Sequence, residues 1–191
     1  WSAVTVFHLD EYIGLPASHK ASFRHYIKER FSDHLPLRAA HLIQGDNPDP
    51  QAECQRLADL FAGRGSDATL AGIGDTGHLA FNDPPANFHA PAPYLVVPLL
   101  DGSRLQQVRQ GWFDNLGQVP TQAITMSIPQ IMESALIVCL CQGAAKAEVV
   151  RRAVEGPITP DFPASILQSH PNCQLLLDPP AASALAKPPV G

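Results

Sequence analysis

Apolar residues along the chain form two patterns that alternate as far as about residue 177. Short runs rich in β-branched and aromatic residues, bounded by turn residues, predict buried strands. Stretches in which apolar residues recur every three or four positions predict helices that pack against those strands. The predicted strands are Val4–Leu9, Ala68–Ile73, Tyr94–Leu100, Ala123–Ile128, Ala135–Cys141 and Cys173–Leu177.

Helical spacing separates most of these strands. Phe23, Ile27 and Phe31 lie on one helix, with Ser18 or Ser22 as its N-cap. Further helices are predicted over Pro50–Ala62, Gly102–Phe113 and Ala144–Val154. The alternation of strand and helix is typical of an α/β fold with a parallel sheet. Ala135–Cys141 is apolar at every position, which predicts a central strand covered by helices on both faces.

Length and composition narrow the class of protein. With 191 residues, 45% of them hydrophobic, the chain predicts a single domain over residues 1–191, whose tail after about residue 179 frays. A net charge of -5 argues against a nucleic-acid partner. No apolar run is long enough to cross a membrane. The four cysteines lack C-x-x-C spacing, which favours buried thiols in a reducing cytoplasm, with a disulfide or a zinc site as the alternative.

Ionisable residues follow several of the predicted strands. In parallel α/β sheets, ligands bind beyond the carboxyl ends of the strands, where loops and helix N-termini converge. Asp10, Glu11, His78 and Lys146 all come just after predicted strands. The topology therefore predicts that these four groups lie at one edge of the sheet.

The glycines at 72, 74 and 77 have the spacing of a dinucleotide-binding fingerprint. That fingerprint requires a long helix to begin inside it, and residues 82–85 (NDPP) come too soon for such a helix. We favour a glycine turn that brings backbone N–H groups and His78 close to a small polar ligand. An ordinary tight turn with a surface histidine is the alternative.

The chemistry of these residues suits proton transfer beside a carbonyl group. Asp10 can serve as a carboxylate base and His78 as a proton shuttle, with Asp83 orienting the imidazole. Lys146 is predicted in the first turn of a helix, where a cation opposes the helix dipole unless an anion binds there. Arg104 and Arg109 are five residues apart on one helix, so only one of them is expected to reach the same ligand.

Several segments, taken in order, resemble the glucosamine-6-phosphate deaminase family, whose relatives are the 6-phosphogluconolactonases. They are FHLDEYIGLP at 7–16, GIGDTGHLAFNDP at 72–84, VPTQAIT at 119–125, KAE at 146–148 with VEG at 154–156, and PASIL at 163–167 with HP at 170–171. The segment at 77–82 is closer to the deaminases, because the lactonases usually have a Gly-His-Thr-Ala-Ser type of sequence there. The resemblance covers almost the whole chain.

The resemblance implies a three-layer Rossmann-like fold with a mainly parallel sheet. It also implies a hydrolase that isomerises an aldose to a ketose, turning glucosamine 6-phosphate and water into fructose 6-phosphate and ammonia through ring opening and an enolamine. No metal or cofactor is expected, and homo-oligomers are common among related deaminases. The implied catalytic residues are Asp10, His78 and Asp83, and the implied substrate-binding residues are Glu11, Gly74, Thr76, Gly77, Arg104, Arg109 and Lys146.

The chain departs from the family in three respects. Thr76 stands where well-studied members have an acidic residue, and Asp83 stands where they have glutamate. We therefore expect the groups that tune His78 to be differently built, with Asp75 as a possible substitute. The resemblance also begins inside the family's domain, so we expect this chain to be a fragment that lacks the N-terminal strand, the phosphate loop and the following helix.

Two other functions fit the same residues. A sugar-phosphate lactonase would use His78 to activate water and would not need Asp10. A non-catalytic sugar-phosphate sensor would keep the fold and the binding groups without turnover. No helix-turn-helix pattern, which would accompany a transcriptional sensor, is present in the sequence.

Overall fold

Eight short strands and five α-helices make up most of the regular structure of residues 1–61 and 65–186, which the computed structural model describes. The strands are β1 (Thr5–Phe7), β2 (Asp10–Tyr12), β3 (Ala39–His41), β4 (Thr69–Gly72), β5 (Tyr94–Pro98), β6 (Gln122–Met126), β7 (Ile137–Cys141) and β8 (Cys173–Leu177). The α-helices are α1 (Phe23–Arg30), α2 (Pro50–Phe61), α3 (Asp101–Arg109), α4 (Ile128–Met132) and α5 (Ala147–Glu155).

The chain divides into two units. Unit 1 comprises Trp1–Gly63 and Ala92–Met126, and unit 2 comprises Arg64–Pro91 and Ser127–Gly191. Ala62, the predicted last residue of the second helix, and residues 187–191 of the predicted tail lie outside the described residues. Cys173–Leu177 has the bounds predicted for the last strand.

Unit 1 contains two sheets. In one, β1 runs parallel to β3; in the other, the order is β2-β6-β5 and both pairings are antiparallel. The strand predicted over Val4–Leu9 is present but shorter, since β1 covers only Thr5–Phe7. Phe7 pairs with His41, whereas Asp10 pairs with Thr125, so the chain changes sheets between residues 7 and 10. Asp10 therefore begins a second strand instead of following the first.

Unit 2 is built on a parallel sheet in the order β4-β7-β8, which confirms that β7 is a central strand. On one face of β7 the side chains of Ile137, Cys139 and Cys141 are buried. On the other face Leu70, Leu140 and Leu176 are 67%, 45% and 50% exposed. The prediction that helices cover both faces of this strand is thus wrong for the described residues, because about half or more of each of these leucines is exposed.

Two predicted boundaries shift because turn residues intervene. Helix α3 ends at Arg109 and not at Phe113, since Gly111 has a φ of +80°, which a right-handed helix cannot contain. Strand β6 ends at Met126, because the Ser127 side chain accepts a hydrogen bond from Gln130 N and caps α4.

Helix α1 begins at a buried carboxylate. Ser22 is its N-cap, as one of the two predicted candidates. The Glu11 side chain is fully buried and accepts hydrogen bonds from Ser22 Oγ at 2.7 Å, Phe23 N at 3.2 Å, Arg24 N at 2.7 Å and Tyr12 N at 2.9 Å. Burial raises the pKa of Glu11, and these hydrogen bonds oppose that rise. One carboxylate thus joins β2 to the first turn of α1.

Replacement of Glu11 by alanine should lower the free energy of unfolding by about 3 kcal/mol, since it leaves several buried donors without an acceptor. Glu11→Gln keeps one acceptor oxygen and should cost less than half as much. Urea denaturation measures both, with Glu29→Gln, on the exposed side of α1, as the control. Equal stability of the Glu11→Ala and Glu29→Gln variants would contradict this interpretation.

Candidate active site

A tight glycine turn after β4 holds His78 in unit 2. Gly74 N donates to His78 O at 3.0 Å, and Gly77 N donates to Gly74 O at 3.0 Å. A Cβ on Gly74 would overlap the His78 ring, and Gly77 has a φ of +83° with the Phe162 ring beside it. Both glycines are therefore required by close packing around the turn. The predicted glycine turn is thus present.

The His78 imidazole is held at Nδ1 by two side chains. Thr76 Oγ1 lies 2.8 Å from Nδ1, and Asp83 Oδ1 lies 3.2 Å from it. Thr76 Oγ1 also donates to Asp83 Oδ1 at 3.5 Å. The side chains of His78 and Asp83 are 10% and 6% exposed. The groups on the His78 imidazole are thus a hydroxyl, from Thr76, and a carboxylate, from Asp83.

The Asp83 carboxylate determines which tautomer of His78 is favoured. A carboxylate oxygen only accepts hydrogen bonds, so the imidazole proton belongs on Nδ1. Nε2 then carries the lone pair and is the nitrogen that can take up and return a proton. This arrangement suits an imidazole that moves protons between oxygen atoms.

Lys146 lies directly before α5, at the end of a short 3-10 helix, Ala144–Lys146. Its Nζ donates to Ile73 O at 2.7 Å and to Asp75 Oδ1 at 2.7 Å. Asp75, which the sequence suggested as a partner for His78, forms an ion pair with Lys146. The carboxylate and the carbonyl account for a cation at this otherwise unfavourable position.

A second carboxylate, Asp178, lies at the same helix start. Its Oδ1 and Oδ2 accept hydrogen bonds from Gly143 N at 2.9 and 3.1 Å. The anion expected at this helix N-terminus is thus supplied by the chain itself. Sequence reasoning missed Asp178, although it directly follows β8 and obeys the rule that identified Lys146 and His78.

Asp10 in unit 1 differs sharply from its neighbour Glu11. Asp10 pairs with Thr125 between strands β2 and β6, and it is half-buried. The carboxyl group nevertheless loses most of its contact with water, which raises the pKa of Asp10 to about 7, and the negative charge of Glu11 adds to this rise. A carboxyl group with a pKa near neutrality is well suited to take a proton from carbon and to return it.

The two arginines of α3 have different surroundings, as their spacing predicts. Arg104 donates to Asp101 Oδ1 at 2.7 Å, to Leu116 O at 2.8 Å and to Val119 O at 3.0 Å. Its guanidinium thereby ties α3 to the loop that precedes β6. Arg109, at the end of the helix, is exposed.

The predicted site residues thus fall into two groups. In unit 2 the structure brings together Gly74, Thr76, Gly77, His78 and Asp83, with Lys146 joined to the same turn through Asp75. Unit 1 carries Asp10, Glu11, Arg104 and Arg109. Among residues 1–61 and 65–186, no three His, Cys, Asp or Glu side chains are grouped to hold a metal ion. No helix in that part of the chain is long and apolar enough to cross a membrane.

A sequence profile described as glucosamine-6-phosphate isomerases/6-phosphogluconolactonase matches residues 1–176. The chain belongs to this family. It is 44% identical over 186 residues to a glucosamine-6-phosphate deaminase of an Exiguobacterium species, covering 97% of this chain and 72% of that protein. It is 42% identical over 186 residues to a glucosamine-6-phosphate deaminase of Shouchella clausii, covering 96% of this chain and 74% of the relative.

Solved structures agree with the family's α/β architecture. A structure described as a monomeric glucosamine-6-phosphate deaminase matches with a TM-score of 0.86 and 37% identity, over 94% of this chain and 74% of the other. The 6-phosphogluconolactonase of Trypanosoma brucei matches with a TM-score of 0.66 and 20% identity, over 94% of this chain and 73% of the other. At that identity the second match supports the fold alone. The predicted Rossmann-like α/β fold with mainly parallel sheets is confirmed.

Asp10 should titrate near pH 7 in this family member, and the stability of the protein should depend on that titration. A raised folded-state pKa favours the folded state at low pH, and this contribution is lost as the pH rises from about 4 to 7. Asp10→Asn should therefore raise the free energy of unfolding at pH 8 by ~2–4 kcal/mol and change it little at pH 4.

Carbon-13 NMR of the carboxyl groups gives the midpoint directly, and urea denaturation at the two pH values gives the stability. Asp59→Asn, on the exposed side of α2, is the matched control and should lack this pH dependence. A midpoint below pH 5 for Asp10 would contradict the expectation.

Proposed function

We propose that this protein converts glucosamine 6-phosphate and water to fructose 6-phosphate and ammonia. Deaminases of this family are 42% and 44% identical to it over nearly its whole length. The matched lactonase of Trypanosoma brucei is only 20% identical. The structural observation that carries the proposal is that Thr76 and Asp83 both contact Nδ1 of His78, an orientation that suits proton transfer at Nε2.

Ring opening is the task that we assign to His78. Opening the pyranose moves the proton of the anomeric hydroxyl to the ring oxygen as the bond between the ring oxygen and the anomeric carbon breaks. An imidazole with its proton fixed on Nδ1 can accept the first proton on Nε2 and deliver it to the leaving oxygen. Asp83 stabilises the positive charge that the ring carries in between.

Isomerisation is the task that we assign to Asp10. Its carboxylate takes the proton from the amino-bearing carbon of the open aldehyde, and the aldehyde oxygen takes up a proton from solvent, which gives an enolamine. The carboxylic acid then returns its proton to the former aldehyde carbon. The resulting iminium ion adds water and loses ammonia, leaving the ketose. A carboxyl group with a pKa of about 7 can perform both transfers near neutral pH.

The remaining predicted residues bind the sugar phosphate in this proposal. Lys146 provides a cation on the glycine turn, and Arg109 is the more exposed of the two α3 arginines. The turn around His78 is shaped by Gly74, Thr76 and Gly77. Glu11 and Arg104 are also candidate ligands of the sugar phosphate, and in the structure they hold helices α1 and α3 in place. The reaction is hydrolytic because it consumes water, and the free cysteines of the described chain suit a reducing cytoplasm. Homo-oligomer formation stays a prediction.

The first test is ammonium release and fructose 6-phosphate formation from glucosamine 6-phosphate, with 6-phosphogluconolactone hydrolysis measured on the same preparation. Asp10→Asn should lower kcat by about 10²–10⁴-fold, because the base for proton abstraction is lost. Asp59→Asn serves as the control of equal charge change. Lactone hydrolysis that survives in Asp10→Asn, without turnover of the amino sugar, would overturn the proposal.

The second test concerns the groups on His78. Asp83→Asn should lower kcat about 10²-fold with little change in KM, since an amide can place the wrong tautomer on the imidazole. Thr76→Val should lower kcat about 10-fold, and Thr76→Ser, which keeps the hydroxyl, should stay close to the unmodified protein. The pH profile of kcat separates these effects from a loss of folding. An unchanged profile in Asp83→Asn would exclude it as the group that tunes His78.

A further inference from the structure

The Asp75–Lys146 ion pair places a negative charge directly at the candidate phosphate site. Lys146 Nζ is 2.7 Å from Asp75 Oδ1 and 2.7 Å from Ile73 O. An ammonium group has three donors, so one donor is left for an oxygen of a bound ligand. Any anion that takes this position meets the Asp75 carboxylate within a few ångströms.

The glycine turn places two neighbouring side chains on different partners: Asp75 contacts Lys146, and Thr76 contacts His78. The turn is closed by the hydrogen bonds of Gly74 with His78 and Gly77. Thr76 Oγ1 is 2.8 Å from Nδ1 of His78, while the carboxylate of Asp75 accepts a hydrogen bond from the ammonium group of Lys146. Adjacent side chains of one short turn therefore act on two different functional groups.

Electrostatics predicts the sign of the effect on phosphate binding. The Lys146 and Asp75 side chains are 18% and 38% exposed, and an ion pair of this kind adds little to stability or to positioning. Repulsion between a carboxylate and a phosphate dianion a few ångströms away is larger, because the dianion doubles the Coulomb energy. The Ile73 carbonyl still holds the ammonium when the carboxylate is removed. Net repulsion should therefore dominate.

We propose that Asp75 weakens the binding of the phosphate group at Lys146, in the substrate and in inorganic phosphate alike. This inference rests on the proposed function, in which Lys146 meets the phosphate of the substrate. Substrate and product both carry that phosphate, so strong binding there stabilises the bound states without accelerating the chemistry. By partly neutralising Lys146, Asp75 limits how strongly any ligand that carries a phosphate group is held there.

The test compares Asp75→Asn with the unmodified protein by calorimetric titration with inorganic phosphate. We expect phosphate to bind about 5–30-fold more tightly to the variant, because a carboxylate is replaced by a neutral group of the same size. With glucosamine 6-phosphate, KM should fall by a similar factor and kcat should not rise. Asp75→Glu, which restores the charge, should return phosphate affinity toward that of the unmodified protein.

Two controls separate this role from others. Asp161→Asn, an exposed residue of the same unit, makes the same change in net charge and should leave phosphate affinity unchanged. Lys146→Gln should weaken phosphate binding. Weaker or unchanged phosphate binding in Asp75→Asn overturns the proposal, as does an equal gain in Asp161→Asn. These titrations need no turnover, so an absence of deaminase activity would refute the proposed function separately.

Discussion

The parallel pairing of β4, β7 and β8 is the constraint on which the described chemistry of unit 2 depends. Strands that run in one direction release their loops at the same edge, so the loop after β4, the helix after β7 and the residue after β8 meet there. His78, Lys146 and Asp178 are far apart in the sequence but all follow these three strands. Two neighbouring side chains of the glycine turn then form hydrogen bonds with different partners, Asp75 with Lys146 and Thr76 with His78.

Carboxylates in this protein have different tasks because their surroundings differ. Glu11 is surrounded by donors and joins a strand to a helix, whereas adjacent Asp10 keeps a pKa near neutrality because burial is not offset by comparable hydrogen bonds. Asp178 satisfies Gly143 N, and Asp83 orients an imidazole. The residue type alone predicts none of these assignments, since each depends on which donors lie within about 3 Å.

The interpretation of Lys146 also changes with the structure. Its position before a helix predicts an anion nearby, and the carboxylate of Asp75 lies 2.7 Å from its Nζ. In the described chain, two carboxylates of the protein itself are the anions at this position. Asp75 accepts a hydrogen bond from the Lys146 ammonium group, and Asp178 accepts one from the backbone N of Gly143. In the proposed phosphate site, the charge of Lys146 is thus already partly balanced by Asp75, which favours weak binding of phosphate over strong binding.

The sequence by itself determined the α/β class, the central position of β7, the bounds of β8 and the family, because these depend on local periodicity and on contiguous motifs such as residues 72–84. It also identified His78 and Lys146 through their positions after strands. Only the tertiary structure decided that the chain changes sheets between Phe7 and Asp10, that Asp75 pairs with Lys146, and that Asp178 accepts a hydrogen bond from Gly143 N. These outcomes depend on pairings between residues far apart in the chain, and local sequence carries no measure of the distances between them.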